Sequence, residues 1–231
     1  MVQTSKLLFK RQIDGHTSSN DRQLDILEAA LRIIGDGGPD AVTFRRVATV
    51  AKVPLSSLTY YFASRDELIR EAFHFYLSEA TRFLSDLERE KRPQSASGVV
   101  EFVLEVARRE FSDDPAMVQV EYELILYAAR DPEIARDFNA YERWMEARLA
   151  ASLEALGAPR PIDAARTIID VVRGFEIERL THPEAEFEDL ARRLRLVVHA
   201  LIAERSVSND LSRNRASRVR ECKPIRRPVR R

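Results

Sequence analysis

Apolar residues recur every three or four positions along most of this chain. Nowhere do they alternate with period two for long enough to make a strand, so the pattern predicts an all-α protein. Leu24, Leu27, Leu31 and Ile34 give one helical face over 20–36, with Asn20 and Gln23 offering a cap. Phe44, Val47, Ala48 and Ala51 give a second, smaller face after Thr43, whose hydroxyl can cap it. A third short helix follows, with Val53, Leu58, Tyr61 and Phe62 facing inward. Ser64 with Glu67 three residues later is a capping-box start, and a fourth helix is expected over 64–90. Further helices fit about 97–111, 115–130, 132–156, 162–180 and 186–204, about nine in all. Asp114-Pro115 and Asp131-Pro132 mark two of their starts as cap followed by first turn.

Residues 43–68, TFRRVATVAKVPLSSLTYYFASRDEL, carry most of the functional information. Lys52-Val53-Pro54 separates two short helices, because proline lacks an N–H and suits the first turn of a new helix. Leu55, Ser56, Ser57, Thr59 and Tyr60 are left outward, small hydroxyls and one aromatic that fit a major groove about 12 Å wide. Short helix pairs also occur without DNA, and Arg45 and Arg46 alone would more often be a solvated face. The capped first helix, the proline-marked turn, the aromatic end and the Ser64 cap occur together here, and jointly they point to a helix-turn-helix.

At these residues the chain resembles the TetR family of transcriptional regulators. The run 43–68, with Tyr61-Phe62 followed by Ser64-Arg65 and Leu68, is similar to that family's second, third and early fourth helices, and 20–36 to its first. The resemblance implies that Thr43, Arg45, Leu55, Ser56, Thr59, Tyr60 and Arg65 fall where the family touches DNA. Two positions depart from it. Lys52 replaces a common turn glycine, so that the turn either widens or brings a charge to a phosphate. Thr59 stands where tyrosine is common, exchanging a long reach for a short one.

The implied organisation is a mobile arm over 1–19, a three-helix DNA-binding domain over 20–66, a larger helical effector-binding and dimerisation domain over 67–204, and a basic tail over 205–231. By the same resemblance, helices four to eight enclose a pocket for a small effector, for which this chain supplies Phe102, Tyr122, Glu123, Tyr127, Trp144 and Arg173. That mixture of aromatics with a few charges suits an amphipathic organic molecule. Apolar stripes on the eighth helix (Ile162, Ala165, Ile168, Ile169, Val172, Phe175) and the ninth (Phe187, Leu190, Leu194, Val197, Val198, Leu201, Ile202) exceed what one chain readily hides, and favour a two-fold homodimer.

Composition narrows the alternatives. Lys and Arg number 37 against 37 Asp and Glu, so bulk charge does not argue for nucleic acid and only its distribution can. The distribution is uneven: acidic residues lie on the first helix and its loop, while Arg45, Arg46 and Lys52 gather on the reading unit. From 204 onward ten basic residues face three acidic ones, and with Pro224 and Pro228 the tail is expected to be disordered, either a solubilising appendage or a phosphate-attracting one. No apolar run spans a bilayer and no secretory signal is apparent, which places the chain in the cytoplasm, away from membranes. Cys222 is the one cysteine, and His16, His74, His182 and His199 have no metal-ligand spacing, so neither metal nor cofactor is expected. With no catalytic constellation, the chain is expected to be no enzyme. The expected function is an operator-binding regulator, most simply a repressor released by its effector; the alternative is a helical ligand-binding or interaction module with a vestigial helix-turn-helix.

Overall fold

The computed structural model describes residues 19–113 and 115–220, with side chains described for 21–111 and 117–203. Nine α-helices are found among them: α1 (Ser19–Gly37), α2 (Phe44–Ala51), α3 (Leu55–Tyr61), α4 (Arg65–Glu90), α5 (Ala96–Asp113), α6 (Pro115–Ala128), α7 (Pro132–Ala155), α8 (Pro161–Thr181) and α9 (Phe187–Arg220), with a single 3-10 turn at Pro39–Ala41. The fold is all-α. The arm before residue 19, the expected Asp114 cap and the last eleven residues, Cys222 included, lie outside the described residues.

Side-chain caps set several of the helix starts. The Thr43 hydroxyl accepts from the Arg46 N–H at 3.2 Å, and the Ser64 hydroxyl from the Glu67 N–H at 3.1 Å. The Glu67 carboxylate reaches back to accept from the Ala63 N–H at 2.6 Å, one residue before the position a capping box ordinarily serves. Asp131 accepts from the Glu133 and Ile134 N–H groups at 3.0 and 3.2 Å, with Pro132 in the first turn. The Ser95 hydroxyl caps α5 by accepting from the Gly98 N–H at 3.0 Å.

Two differences from expectation concern the backbone. Pro54 is not in the first turn of α3 but its N-cap, with extended ψ. α9 continues to Arg220, well past the expected end near 204 and into the tail expected to be disordered. The sequence from 204 to 220 contains neither proline nor glycine, so nothing there breaks the helix once α9 has begun.

The apolar residues gather into two cores. The first joins α1 to α3 with the N-terminal half of α4, with Met117, Val120 and Leu124 of α6, and with Ile134 and Phe138 of α7. The reading unit therefore shares a core with the larger domain beyond the expected division at 66/67. The second unites α5, the end of α7, α8 and α9 around Phe175, Leu190, Leu194 and Val198. Burying such side chains stabilises by about 1.5 to 3 kcal/mol each, so neither helix layer can shift without repacking a core.

Candidate DNA-reading surface and effector cavity

α2 and α3 pack through Val47, Ala48 and Leu58, all buried. The turn between them forces Lys52 to φ 56°, the left-handed region, where it ends α2 by donating its N–H to the Ala48 and Thr49 carbonyls. The turn is thus not widened; it keeps the tight form and accepts the steric cost of a side chain, about 1 to 2 kcal/mol. Replacing Lys52 with glycine should recover roughly 0.5 to 1 kcal/mol of stability, the remainder being lost to the freer unfolded chain. Urea unfolding measures it, and an unchanged or lower midpoint would contradict the steric account.

The outer face of α3 presents Leu55, Ser56, Thr59 and Tyr60 together. Tyr60 is 79% exposed and Leu55 46%, large values for an aromatic and a leucine. Tyr60 is held by an edge contact with Tyr61, ring centroids 4.9 Å apart, and the Thr59 hydroxyl donates back to the Ser56 carbonyl at 3.1 Å. Thr43, Arg45 and Lys52 are also exposed around this face. Arg65 is differently placed. Its guanidinium turns inward, donating to the Val42 carbonyl at 2.9 Å and the Pro39 carbonyl at 2.6 Å, with Asp40 and Asp66 at 3.2 and 3.3 Å. It braces the loop before α2 rather than projecting beside Tyr60.

The second site is a cavity of about 110 Å³ bounded by α4, α5, α6, α7 and α8. Of the six residues expected there, Phe102, Trp144 and Arg173 line it. The other three do not. Tyr122 stands behind the wall, its single hydroxyl proton within reach of two acceptors, Glu176 at 3.0 Å and the Arg173 carbonyl at 3.1 Å. Glu123 points the other way round α6, toward Gly38. Tyr127 packs on Phe73 in the first core, ring centroids 5.3 Å apart.

Sequence reasoning missed the cavity's carboxyls, Glu110, Glu121 and Glu176, together with Tyr141 and Met145. A signal was present: Glu176 continues the i, i+4 series Ile168, Val172, and Glu121 lies four residues after Met117 and three before Leu124, so both interrupt apolar stripes. Glu176 is 5% exposed, and burial together with the nearby Glu121 charge pushes its carboxyl up to about 7. Glu110 hydrogen-bonds Glu176 and is likewise raised, by burial first and then by the charges of Glu176 and Glu121. Burial raises Glu121 as well, although Arg173 opposes it and the Tyr76 hydroxyl donates to it at 3.0 Å. Arg173 itself is paired with Glu142 at 2.5 Å.

Among the described residues no helix is long and apolar enough to cross a membrane, and no group of His, Cys, Asp and Glu is arranged to hold a metal ion.

Comparison with known proteins agrees with this geometry. Residues 26–72 match the profile described as bacterial regulatory proteins, tetR family, and residues 94–204 the one described as tetracyclin repressor-like, C-terminal domain. The chain is 22% identical over 171 residues to the nicotine-responsive transcriptional repressor HdnoR of Paenarthrobacter nicotinovorans, covering 72% of this chain and 87% of that one. It is 25% identical over 197 residues to the transcriptional repressor KstR of Mycobacterium tuberculosis, covering 82% and 84%. The crystal structure of the multidrug binding protein EbrR complexed with ethidium superposes with a TM-score of 0.58 at 28% identity, over 77% of this chain and 98% of that one.

Proposed function

This chain belongs to the TetR family of bacterial transcriptional regulators, and we propose that it acts as a homodimeric repressor which leaves its operator when a small amphipathic organic molecule fills the α4–α8 cavity. The observation that carries this reading is the cavity itself. It is walled by the far end of α4, at Leu84 and Glu88, while the first turn of the same helix holds the reading unit through Arg65. α4 has 26 residues, so it is a rod of roughly 39 Å between the two sites. An effector that prefers one α4 position shifts the spacing of two reading helices, which must lie about one duplex turn apart. α6 offers a second link, with Glu121 on the cavity and Glu123 beside Gly38 at the end of α1. Two relatives support an organic effector here: HdnoR is a nicotine-responsive repressor, and EbrR is a multidrug binding protein whose crystal structure holds ethidium.

For the dimer, the structure divides the stripes on α8 and α9. Ala165, Ile168, Phe175, Leu190, Leu194 and Val198 are consumed by the chain's own core. Ile162, Ile177 and Leu196, the last 71% exposed, face outward on the same two helices and form the proposed pairing face. On DNA, Tyr60, Leu55, Ser56 and Thr59 are the proposed groove contacts, with Thr43, Arg45 and Lys52 toward phosphates.

The test is operator selection from random duplexes, followed by titration at fixed salt and sedimentation of the complex. Two chains per selected duplex are expected. Tyr60→Ala is expected to weaken operator binding by about 1 to 3 kcal/mol, roughly 5- to 150-fold, with helical circular dichroism unchanged. Equal affinity of parent and variant, or one chain per duplex, would remove this reading.

A further inference from the structure

The charges around the cavity do not balance. Two arginines line it, and each is already engaged by a carboxylate of its own: Arg148 pairs with Glu88 and lies over the Trp144 ring, 5.3 Å from its centroid, while Arg173 pairs with Glu142. Glu110, Glu121 and Glu176 remain. Their hydrogen bonds run to the Tyr76 and Tyr122 hydroxyls and to one another, and none has a salt bridge to an arginine or lysine among the described residues. The rest of the lining is largely apolar and aromatic, at Phe102, Trp144, Met145, Ile168 and Val172.

We infer that this cavity selects an organic cation with a flat apolar body, its charge seated against Glu110, Glu121 and Glu176 and its body against Trp144 and Phe102. The inference rests on the reading of the cavity as the effector site. A buried carboxylate is costly unless it is paired or protonated. Here three share one low-dielectric pocket, and the strain is relieved by keeping a proton between Glu110 and Glu176 while the pocket is empty. A cation supplies the missing counter-charge, and the shared proton leaves to solvent as it binds. A neutral ligand gains nothing from this arrangement, and an anion meets three carboxyl groups. The trapped cation also faces aromatic rings, which attract it further.

A pH signature follows. The groups facing the cluster are Tyr76 from α4, Glu110 from α5, Glu121 and Tyr122 from α6, Tyr141 and Glu142 from α7, and Arg173 from α8. Burial and the surrounding carboxylates raise the three tyrosines, so they stay neutral through the physiological range. Glu176, its carboxyl pushed up to about 7, changes charge there. Affinity for a permanently charged cation should therefore rise as the pH rises through about 7, the value near which Glu176 ionises, and level off above it.

Three probes of closely similar shape separate the possibilities: N-methylquinolinium, 1-methylnaphthalene and 1-naphthoate, as cation, neutral body and anion. Trp144 is the chain's one tryptophan and lines the cavity, so its fluorescence reports occupancy in the full-length protein. Calorimetry in buffers of different ionisation heat counts protons released. The cation is expected to bind at least tenfold more tightly than the neutral body, to release a proton at pH 6.5, and to tighten between pH 6 and pH 8. Glu121→Gln and Glu176→Gln are each expected to cost the cation tenfold or more in affinity and to leave the neutral body unaffected. If the neutral or anionic probe perturbs Trp144 at concentrations equal to or below the cation's, the cation inference falls and the effector cavity stands. If no probe perturbs Trp144 or operator affinity, the cavity reading falls, and this inference with it. Should the glutamine variants fail to fold, the pH dependence and proton count of the parent protein decide the matter alone.

Discussion

Arg65→Ala is expected to lower stability by about 2 to 3 kcal/mol and to weaken binding to operator and non-operator duplexes alike. Sequence resemblance would make Arg65 a DNA contact, and its loss would then spare the fold. In the structure its guanidinium bridges the first turn of α4 to carbonyls 23 and 26 residues earlier, at Val42 and Pro39. Those carbonyls belong to the loop that launches α2, and Val42 itself is fully buried. A charged donor to a backbone carbonyl contributes about 1.5 to 3 kcal/mol when shielded. The Arg65 side chain is 39% exposed, so each bond is discounted and two together reach about 2 to 3. The neighbouring Asp40 and Asp66 contribute little, since both are open to solvent. Arg65→Lys should recover only part of the loss, because one ammonium cannot span both carbonyls as a planar fork does. Urea unfolding beside duplex titration separates the roles. A drop confined to operator affinity, with no loss of stability, would return Arg65 to the DNA-contacting set.

The features legible in the sequence were those decided within a few residues. Thr43, Ser64 and Asp131 cap helices by bonds to N–H groups two or three positions on, so spacing alone identifies them. The same locality made the outward face of α3 readable, since the inward positions Leu58 and Phe62 fix the helical phase. The cavity was only half legible because it depends on which side of each helix meets its neighbours. Glu121 and Glu123 are two residues apart on α6, about 200° around the axis. Glu121 interrupts the Met117 to Leu124 stripe, but α6 also carries an exposed Leu126 on another side, so that periodicity marked Glu121 only weakly against Glu123. Tyr127 was misplaced for the same reason, its partner Phe73 lying 54 positions away. Arg65 presents a different ambiguity: a first-turn arginine has the same appearance in sequence whether it reaches for phosphate or for its own loop. The end of α9 was misjudged because basic composition argues for disorder on average, while a helix already under way needs only the absence of a breaker.

Glu176→Gln is expected to make the protein more stable than its parent at pH 8, an unusual direction for a change at a 5% exposed residue. The folded state holds the Glu176 proton up to about pH 7, because burial opposes the charged form and Glu121 adds repulsion. Unfolded, the same carboxyl ionises near 4.3. Between those values the folded state binds more protons than the unfolded one, so stability falls as the pH rises through the window, and the deficit is complete above about 7. The magnitude is roughly 3 to 4 kcal/mol, and it belongs to Glu176 and Glu110 as a pair because they share a hydrogen bond. Glutamine has nearly the same shape, keeps an oxygen to accept from the Tyr122 hydroxyl and never ionises. It should remove most of the deficit at pH 8 and change little at pH 4.5, where the parent carboxyl is already largely neutral in the fold. Urea unfolding of both proteins at the two pH values gives the difference directly, with every unaltered carboxylate cancelling between them. Equal destabilisation at both would mean that shape rather than charge governs the site. The buried carboxyl is thus a standing cost to the fold, and such costs persist where a ligand needs the group. The substitution that stabilises the empty protein is the same one expected to cost it the cation, so stability gained and cation affinity lost in one variant would tie the cavity's instability to its function.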